Sequence, residues 1–225
     1  MDIDSIISFL KEKSNPACLA GMKRFAIENN AAMGIPIPEL RKLARVIKKD
    51  HGLALQLWDT GLHEARILAS MIDDPVLVTE EQIYNWVKDF NSWDICDQVC
   101  GNLFDRTPFA IEKAIEFSRH DEEFTKRAGF VLMAEYAMHN KAAKDAVFID
   151  LLQYTELEAW DERNFVKKAV NWALRQIGKR NPDLSIAAID TANRISQQNS
   201  KSAKWIAADA IRELKQKEWV KSKNG

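Results

Sequence analysis

Apolar residues recur along this chain with the period of an α-helix. In 38-PELRKLARVIKKD-50, Leu40, Leu43, Ala44 and Ile47 fall at i, i+3, i+4 and i+7, with lysines and arginines between them. Pro38 stands in the first turn, where its missing N–H costs little. The same spacing predicts helices over 53–59, 63–72, 79–89, 93–105, 108–118, 123–138, 145–154, 162–179, 184–196 and 200–217. Asp73-Asp74-Pro75, Thr107-Pro108 and Asn181-Pro182 interrupt the pattern as helix ends do, and no long Gly-, Ser- or Pro-rich linker divides it. The pattern reads as one all-α domain over 1–225.

A repeat runs beneath the helices. The stretch 126-KRAGFVLMAEYAMHN-140 aligns with 167-KKAVNWALRQIGKRN-181, setting Lys126 on Lys167, Ala128 on Ala169 and Asn140 on Asn181. A weaker third copy begins in 204-KWIAADAIREL-214. A period near 40 with two helices per unit is that of HEAT and armadillo solenoids, whose stacked pairs form a concave surface. An irregular helical bundle is the alternative.

Composition narrows the class. With 46% hydrophobic residues the chain can build a core, and 29% charged residues speak against a membrane protein. Only 8 Gly and 6 Pro leave too few turn formers for an all-β fold. The net charge of −1 hides a strong polarity. Residues 163–225 carry 14 basic and 5 acidic side chains, net +9, whereas residues 1–162 carry 18 and 28, net −10. One end is therefore suited to phosphates.

Cys18, Cys96 and Cys100 are too few for a disulfide framework and point to a reducing compartment. Cys96 and Cys100 share a helix face but have no further ligands nearby, so no metal is expected and they read as buried thiols. MDIDSIISFLKEK lacks the basic, apolar make-up of a signal peptide, and no apolar run reaches membrane-spanning length. A soluble, cytoplasmic protein is expected.

Three clusters could carry chemistry. In 91-NSWDICDQVCGN-102 the spacing sets Trp93 and Asp97 one turn apart on one helix face. The competing reading is a buried Trp beside a helix capped by Ser92 or Asp94. In 124-FTKRAGF-130, Arg127 is followed by Ala128 and Gly129, small residues that permit close approach, and its fork suits a phosphate. The alternative is a surface ion pair with Glu122 or Glu123. In 165-FVKKAVNWALRQIGKRNP-182, Lys168, Trp172 and Arg175 share a face that Lys179 continues. An aromatic ring in a basic stripe suits nucleic acid, or else the ring is covered by lysine stems.

Four segments, 34-GIPIPELRKLAR-45, 92-SWDICD-97, 126-KRAGFVL-132 and 169-AVNWALRQIGKRNP-182, resemble the AlkD-type DNA alkylation repair family of helical-repeat DNA glycosylases. The resemblance implies a HEAT/armadillo-like solenoid with a concave basic face. It implies catalytic roles for Asp97, Trp93 and Trp172 around the deoxyribose of a damaged nucleotide, with Arg127 on the DNA backbone. Lys168, Arg175 and Lys179 are the further DNA-binding candidates. The implied reaction is hydrolytic release of cationic N3- or N7-alkylated purines, such as 3-methyladenine and 7-methylguanine, leaving an abasic site. The implied partner is double-stranded DNA carrying alkylated bases, bound by a monomer without any cofactor. The family can act without flipping the base, which suits a sequence with no evident deep pocket.

Two positions depart from the family pattern. Ser92 stands where a second Trp is common, and Phe25 stands where a Tyr is common. Some relatives bind unusual DNA without glycosylase activity, so a non-catalytic protein for damaged or branched DNA is the alternative function. A protein-binding solenoid with no DNA role is a third reading.

Overall fold

The computed structural model describes residues 1–24, 27 and 31–216. Among these residues it holds thirteen α-helices, one short 3₁₀ turn and no strand. Contacts divide the chain into two compact units, Met1–Pro108 and Phe109–Gly225.

The first unit contains α1 (Ile3–Glu12), α2 (Pro16–Arg24), α3 (Ile37–Ile47), α4 (His51–Asp59), α5 (His63–Ile72), α6 (Glu80–Lys88) and α7 (Trp93–Asn102), then the turn Phe104–Arg106. Five starts follow from their side chains. Asp2, Asp50 and Thr79 accept the backbone N–H three residues on, capping α1, α4 and α6. Pro38 lies in the first turn of α3 as expected, and Glu64 adds negative charge at the first turn of α5. The core gathers Ile6, Leu10, Leu40, Leu57, Ile67, Leu68 and Ile72. Beside it, the rings of Trp58 and Trp86 stack with centroids 4.0 Å apart. Trp58 Nε1 and the Arg66 guanidinium both donate to Asp89, at 2.9 and 2.8 Å.

The second unit contains α8 (Ala110–Ser118), α9 (Glu123–His139), α10 (Asp145–Leu157), α11 (Asn164–Gly178), α12 (Pro182–Ser196) and α13 (Lys201–Leu214). Packing pairs α8 with α9, α10 with α11 and α12 with α13, while α11 also lies between α9 and α13. The repeat is therefore structural. Its aligned asparagines do the same work: Asn140 Oδ1 accepts Ala143 N–H at 3.0 Å, and Asn181 Oδ1 accepts Leu184 N–H at 2.9 Å. Ala128 and Ala169, also aligned, are both fully buried.

At Gly129 the backbone of α9 meets the end of α8. A Cβ there would lie 2.3 Å from Ser118 N and 2.8 Å from the Phe117 carbonyl carbon, so only glycine fits. The small residues after Arg127 do permit the close approach read from the sequence.

Candidate functional site

Helix α7 turns Ile95, Cys96, Val99 and Cys100 into the core, which leaves Trp93, Asp94, Asp97 and Gln98 half-buried on the opposite side. Trp93 and Asp97 are thus held one turn apart, as the spacing predicts. The two cysteines are buried, as their reading as core thiols requires.

The capping expectation is corrected. Ser92 occupies the N-cap position with extended backbone, yet its buried hydroxyl accepts no helix N–H. Asp94 does not cap either. Its Oδ2 lies 2.8 Å from His63 Nε2 at the start of α5, where the His side chain is 1% exposed. Burial opposes ionisation of Asp94, but the hydrogen bond and charge of His63 outweigh it and hold the carboxyl below its usual range.

The neighbouring Glu64 is equally buried and has another task. Its carboxylate accepts N–H groups of Met33, Gly34 and Ile35, at 2.9, 2.7 and 3.2 Å. Gly34 supplies the positive φ of 75° that this turn needs. The turn, α5 and α7 border a cavity of about 330 Å³, with Trp93 and Asp94 in its wall. A pocket beside the Trp93 cluster is the feature the sequence reading did not anticipate.

In the second unit Arg127 is 6% exposed, so it is not a surface residue. Its guanidinium donates to the Phe165 carbonyl at 2.7 Å, tying α9 to the first turn of α11. The adjacent Lys126 is buried too, paired with Glu158 at 2.6 Å and Asp161 at 3.2 Å.

Along α11, Trp172 is half-buried and Lys168 is exposed. Arg175 and Lys179 both form ion pairs with Glu213 of α13, and Arg175 lies 3.7 Å from Asp209. Asn171 Nδ2 donates to Asp209 at 2.8 Å. Burial would raise the Glu213 carboxyl, but hydrogen bonds from Lys179 and Arg175 prevail and lower it. The basic stripe of α11 is therefore partly neutralised by an acidic edge 34 to 38 residues further along.

A family model for the DNA alkylation repair enzymes matches residues 6–214. The chain belongs to the DNA alkylation repair enzyme family. A comparison with curated protein sequences finds no match. Among solved structures, one from "a new family of proteins related to the HEAT-like repeat DNA glycosylases with affinity for branched DNA structures" matches with a TM-score of 0.77. It is 19% identical and the match covers 95% of this chain and 96% of that one, so the fold is a HEAT-like helical repeat.

For this member of the DNA alkylation repair enzyme family, the structure also displays cations that the sequence reading passed over. Every exposed residue of α13 and its end is basic, aromatic or neutral: Lys201, Lys204, Trp205, Ala208, Arg212, Lys215 and Gln216. Asp209 and Glu213 engage Asn171, Arg175 and Lys179 of α11 and its end, and Asp209 also pairs with Arg212. Lys167 Nζ lies 5.2 Å from the Trp205 ring, which is 42% exposed. The sequence signal was available as period 3.6 in the third repeat copy, once its acidic positions are known to face inward. Phe25 lies outside the described residues. No helix among the described residues is long and apolar enough to cross a membrane.

Proposed function

We propose that the chain is a monofunctional DNA glycosylase that releases cationic N3- or N7-alkylated purines, with 3-methyladenine and 7-methylguanine as products. The observation that carries this reading is the pairing of Trp93 and Asp97 on the half-buried face of α7, in a chain matched by the family model over 6–214.

N-alkylation leaves a purine positively charged and a good leaving group. The remaining barrier is the charge that develops on the sugar as the glycosidic bond lengthens. The Asp97 carboxylate stabilises that charge and orients the attacking water. Trp93 offers an electron-rich face to the same cation. Trp172, in the basic stripe of α11, offers a ring to a sugar or base of the DNA. With no lysine assigned as a sugar nucleophile, the product is an abasic site. Lys168 contacts phosphate, joined by Arg175 and Lys179 when DNA competes for their acidic partners, and by Lys201, Lys204 and Lys215 of α13. Arg127 supports the interface from beneath through Phe165. The protein acts as a monomer on double-stranded DNA.

The test is release of methylated base from N-methylated duplex DNA by wild type and by Asp97→Asn. The expected result is release by wild type and about 10²- to 10⁴-fold slower release by the variant, with DNA affinity retained. Equal release by both would overturn the assignment.

A second reading is a DNA-binding protein without base release, with affinity for branched DNA structures like that of its structural relative. Ser92, in place of a common family Trp, favours it. Binding of four-way junctions with no base release from any methylated duplex would establish this reading instead.

A further inference from the structure

Helix α10 leaves one face open to solvent. It buries Phe148, Leu151, Leu152 and Thr155 and packs on α11 and α12. Along its exposed side run Ala146, Ile149, Gln153 and Leu157, and Trp160, just beyond the helix end, continues the row. Ile149, Leu157 and Trp160 are 50%, 61% and 56% exposed. Scattered exposed apolar residues are ordinary, but these are aligned. The row advances by 3, 4, 4 and 3 residues, the steps of the a and d positions in a coiled-coil seam. That period suits a second helix lying along it.

The Trp160 end of the row is shaped. Gln153, Glu156, Leu157, Trp160 and Gln198 line an open groove of about 500 Å³. Gln198 Nε2 donates to the Glu156 carbonyl at 2.7 Å, and Ser200 Oγ donates to the Trp160 carbonyl at 3.1 Å. The backbone at this end is thereby tied to the segment that joins α12 to α13. Lys126 Nζ lies 5.0 Å from the centre of the Trp160 ring, which steadies the ring and leaves about half of it open. A preset Trp beside a groove is the kind of anchor that dominates protein interfaces.

Charge selects the occupant. Asp150 and Glu156, three residues before and after Gln153, lie on opposite flanks of the row. Helix α10 has no Lys or Arg, and α10 and α12 together carry Asp145, Asp150, Glu156, Asp183 and Asp190 against Arg194. Arg194 is already engaged by Glu156 at 2.8 Å, whereas Asp150 and Asp190 are exposed. Such a surface repels phosphates, so it suits no nucleic acid. It attracts a helix with lysines or arginines beside its apolar row.

We propose that the exposed face of α10 is a docking surface for a basic amphipathic helix of a protein partner. The helix lies along Ile149, Gln153 and Leu157 and sets an apolar side chain in the groove beside Trp160. This surface does not depend on the glycosylase reading.

The experiment is fluorescence anisotropy of the full chain with three labelled synthetic peptides, each of about three heptads. The first has leucine at a and d and lysine at e and g. The second replaces lysine by glutamate, and the third shuffles the first so that its leucines share no face. Saturable binding of the first is expected, about tenfold or more tighter than either control and weakened by salt. Ile149→Ser combined with Leu157→Ser abolishes it, and Trp160→Ala weakens it by about tenfold or more. Asp150→Lys narrows the gap between the lysine and glutamate peptides. Thermal melts establish that each variant is folded, and duplex DNA affinity is retained in the double-serine variant.

Absence of lysine-peptide binding, equal binding of either control, or binding untouched by the double-serine change overturns the docking surface. Two other outcomes overturn it by naming another occupant. Dimerisation of wild type in sedimentation, lost in the double-serine variant, assigns the row to a second copy. Loss of duplex affinity in that variant assigns it to nucleic acid. Base release enters none of these readouts, so they stand whether or not the glycosylase reading does.

Discussion

Asp94 Oδ2 and His63 Nε2 meet at 2.8 Å across α7 and α5, with the imidazole all but sealed from water. The pair joins two helices whose partners are 31 residues apart in sequence. The pair lies in the interior of this unit, and it has a pH signature.

The Asp94 carboxyl is held below its usual range in the folded chain. A depressed folded pKa gives stability that is full above the unfolded value, about 3.9, and lost as pH falls through the folded one. Wild type is expected to lose melting temperature more steeply below about pH 4 than Asp94→Asn does. At neutral pH the same variant loses about 1–3 kcal/mol. Thermal melts from pH 7 to 2 measure both effects, and parallel curves for the two proteins would refute them.

Glu213→Gln releases Arg175 and Lys179 from their shared carboxylate. The expected outcome is tighter DNA binding, with the salt dependence steeper by about one for each phosphate newly reached. Fluorescence anisotropy at several salt concentrations reads this directly. A variant that binds no better shows that the two cations do not reach DNA.

Lys204→Ala combined with Lys215→Ala is expected to flatten the salt dependence by about two, with melting temperature unchanged because both side chains are exposed. Trp205→Ala is expected to weaken binding to single-stranded or junction DNA by about 1–3 kcal/mol if an unpaired base stacks on it. Duplex affinity in the same titration is the control.

Arg127→Ala removes a charged donor to the Phe165 carbonyl and is expected to destabilise the chain by about 1.5–3 kcal/mol. The salt dependence of DNA binding should stay within one of wild type. A large flattening without loss of melting temperature would establish the direct phosphate contact expected from the sequence.

Gly129→Ala forces α8 and α9 apart, because the new methyl meets backbone at Ser118 and no flexible side chain. A loss of about 1–3 kcal/mol or more is expected by chemical denaturation.

The helices from α3 to α13 were legible because their apolar residues keep period 3.6 and because Asp-Pro, Thr-Pro and Asn-Pro steps mark their ends. Ends differ by a few residues, as at α7, which stops at Asn102 before a separate 3₁₀ turn. Helices α1 and α2 lie outside the stretches where the period predicts a helix; IDSIISFLKE carries the right spacing, but its place at the amino end invites comparison with a targeting segment. Trp93 and Asp97 were legible because their relation is local to one helix. The burial of Arg127 was not, since Lys126, Glu122 and Glu123 give its neighbourhood a solvent-facing look and its partner lies 38 residues away. The quenching of Arg175 and Lys179 depends on the same kind of distant pairing. The cavity needed a turn, α5 and α7 to be brought together, and no single segment encodes it.

Helix α13 has two electrical faces. Its acidic edge satisfies Arg175 and Lys179 at the end of α11, and its outward side carries lysines of its own. Part of the positive charge in this unit is thereby displaced by one helix, from the end of the tryptophan-bearing α11 to α13. Lys168 stays open to solvent, whereas Arg175 and Lys179 reach an outside anion only by giving up Glu213 for it. The charge that the end of α11 offers is thus set by side chains 34 to 38 residues further along the chain.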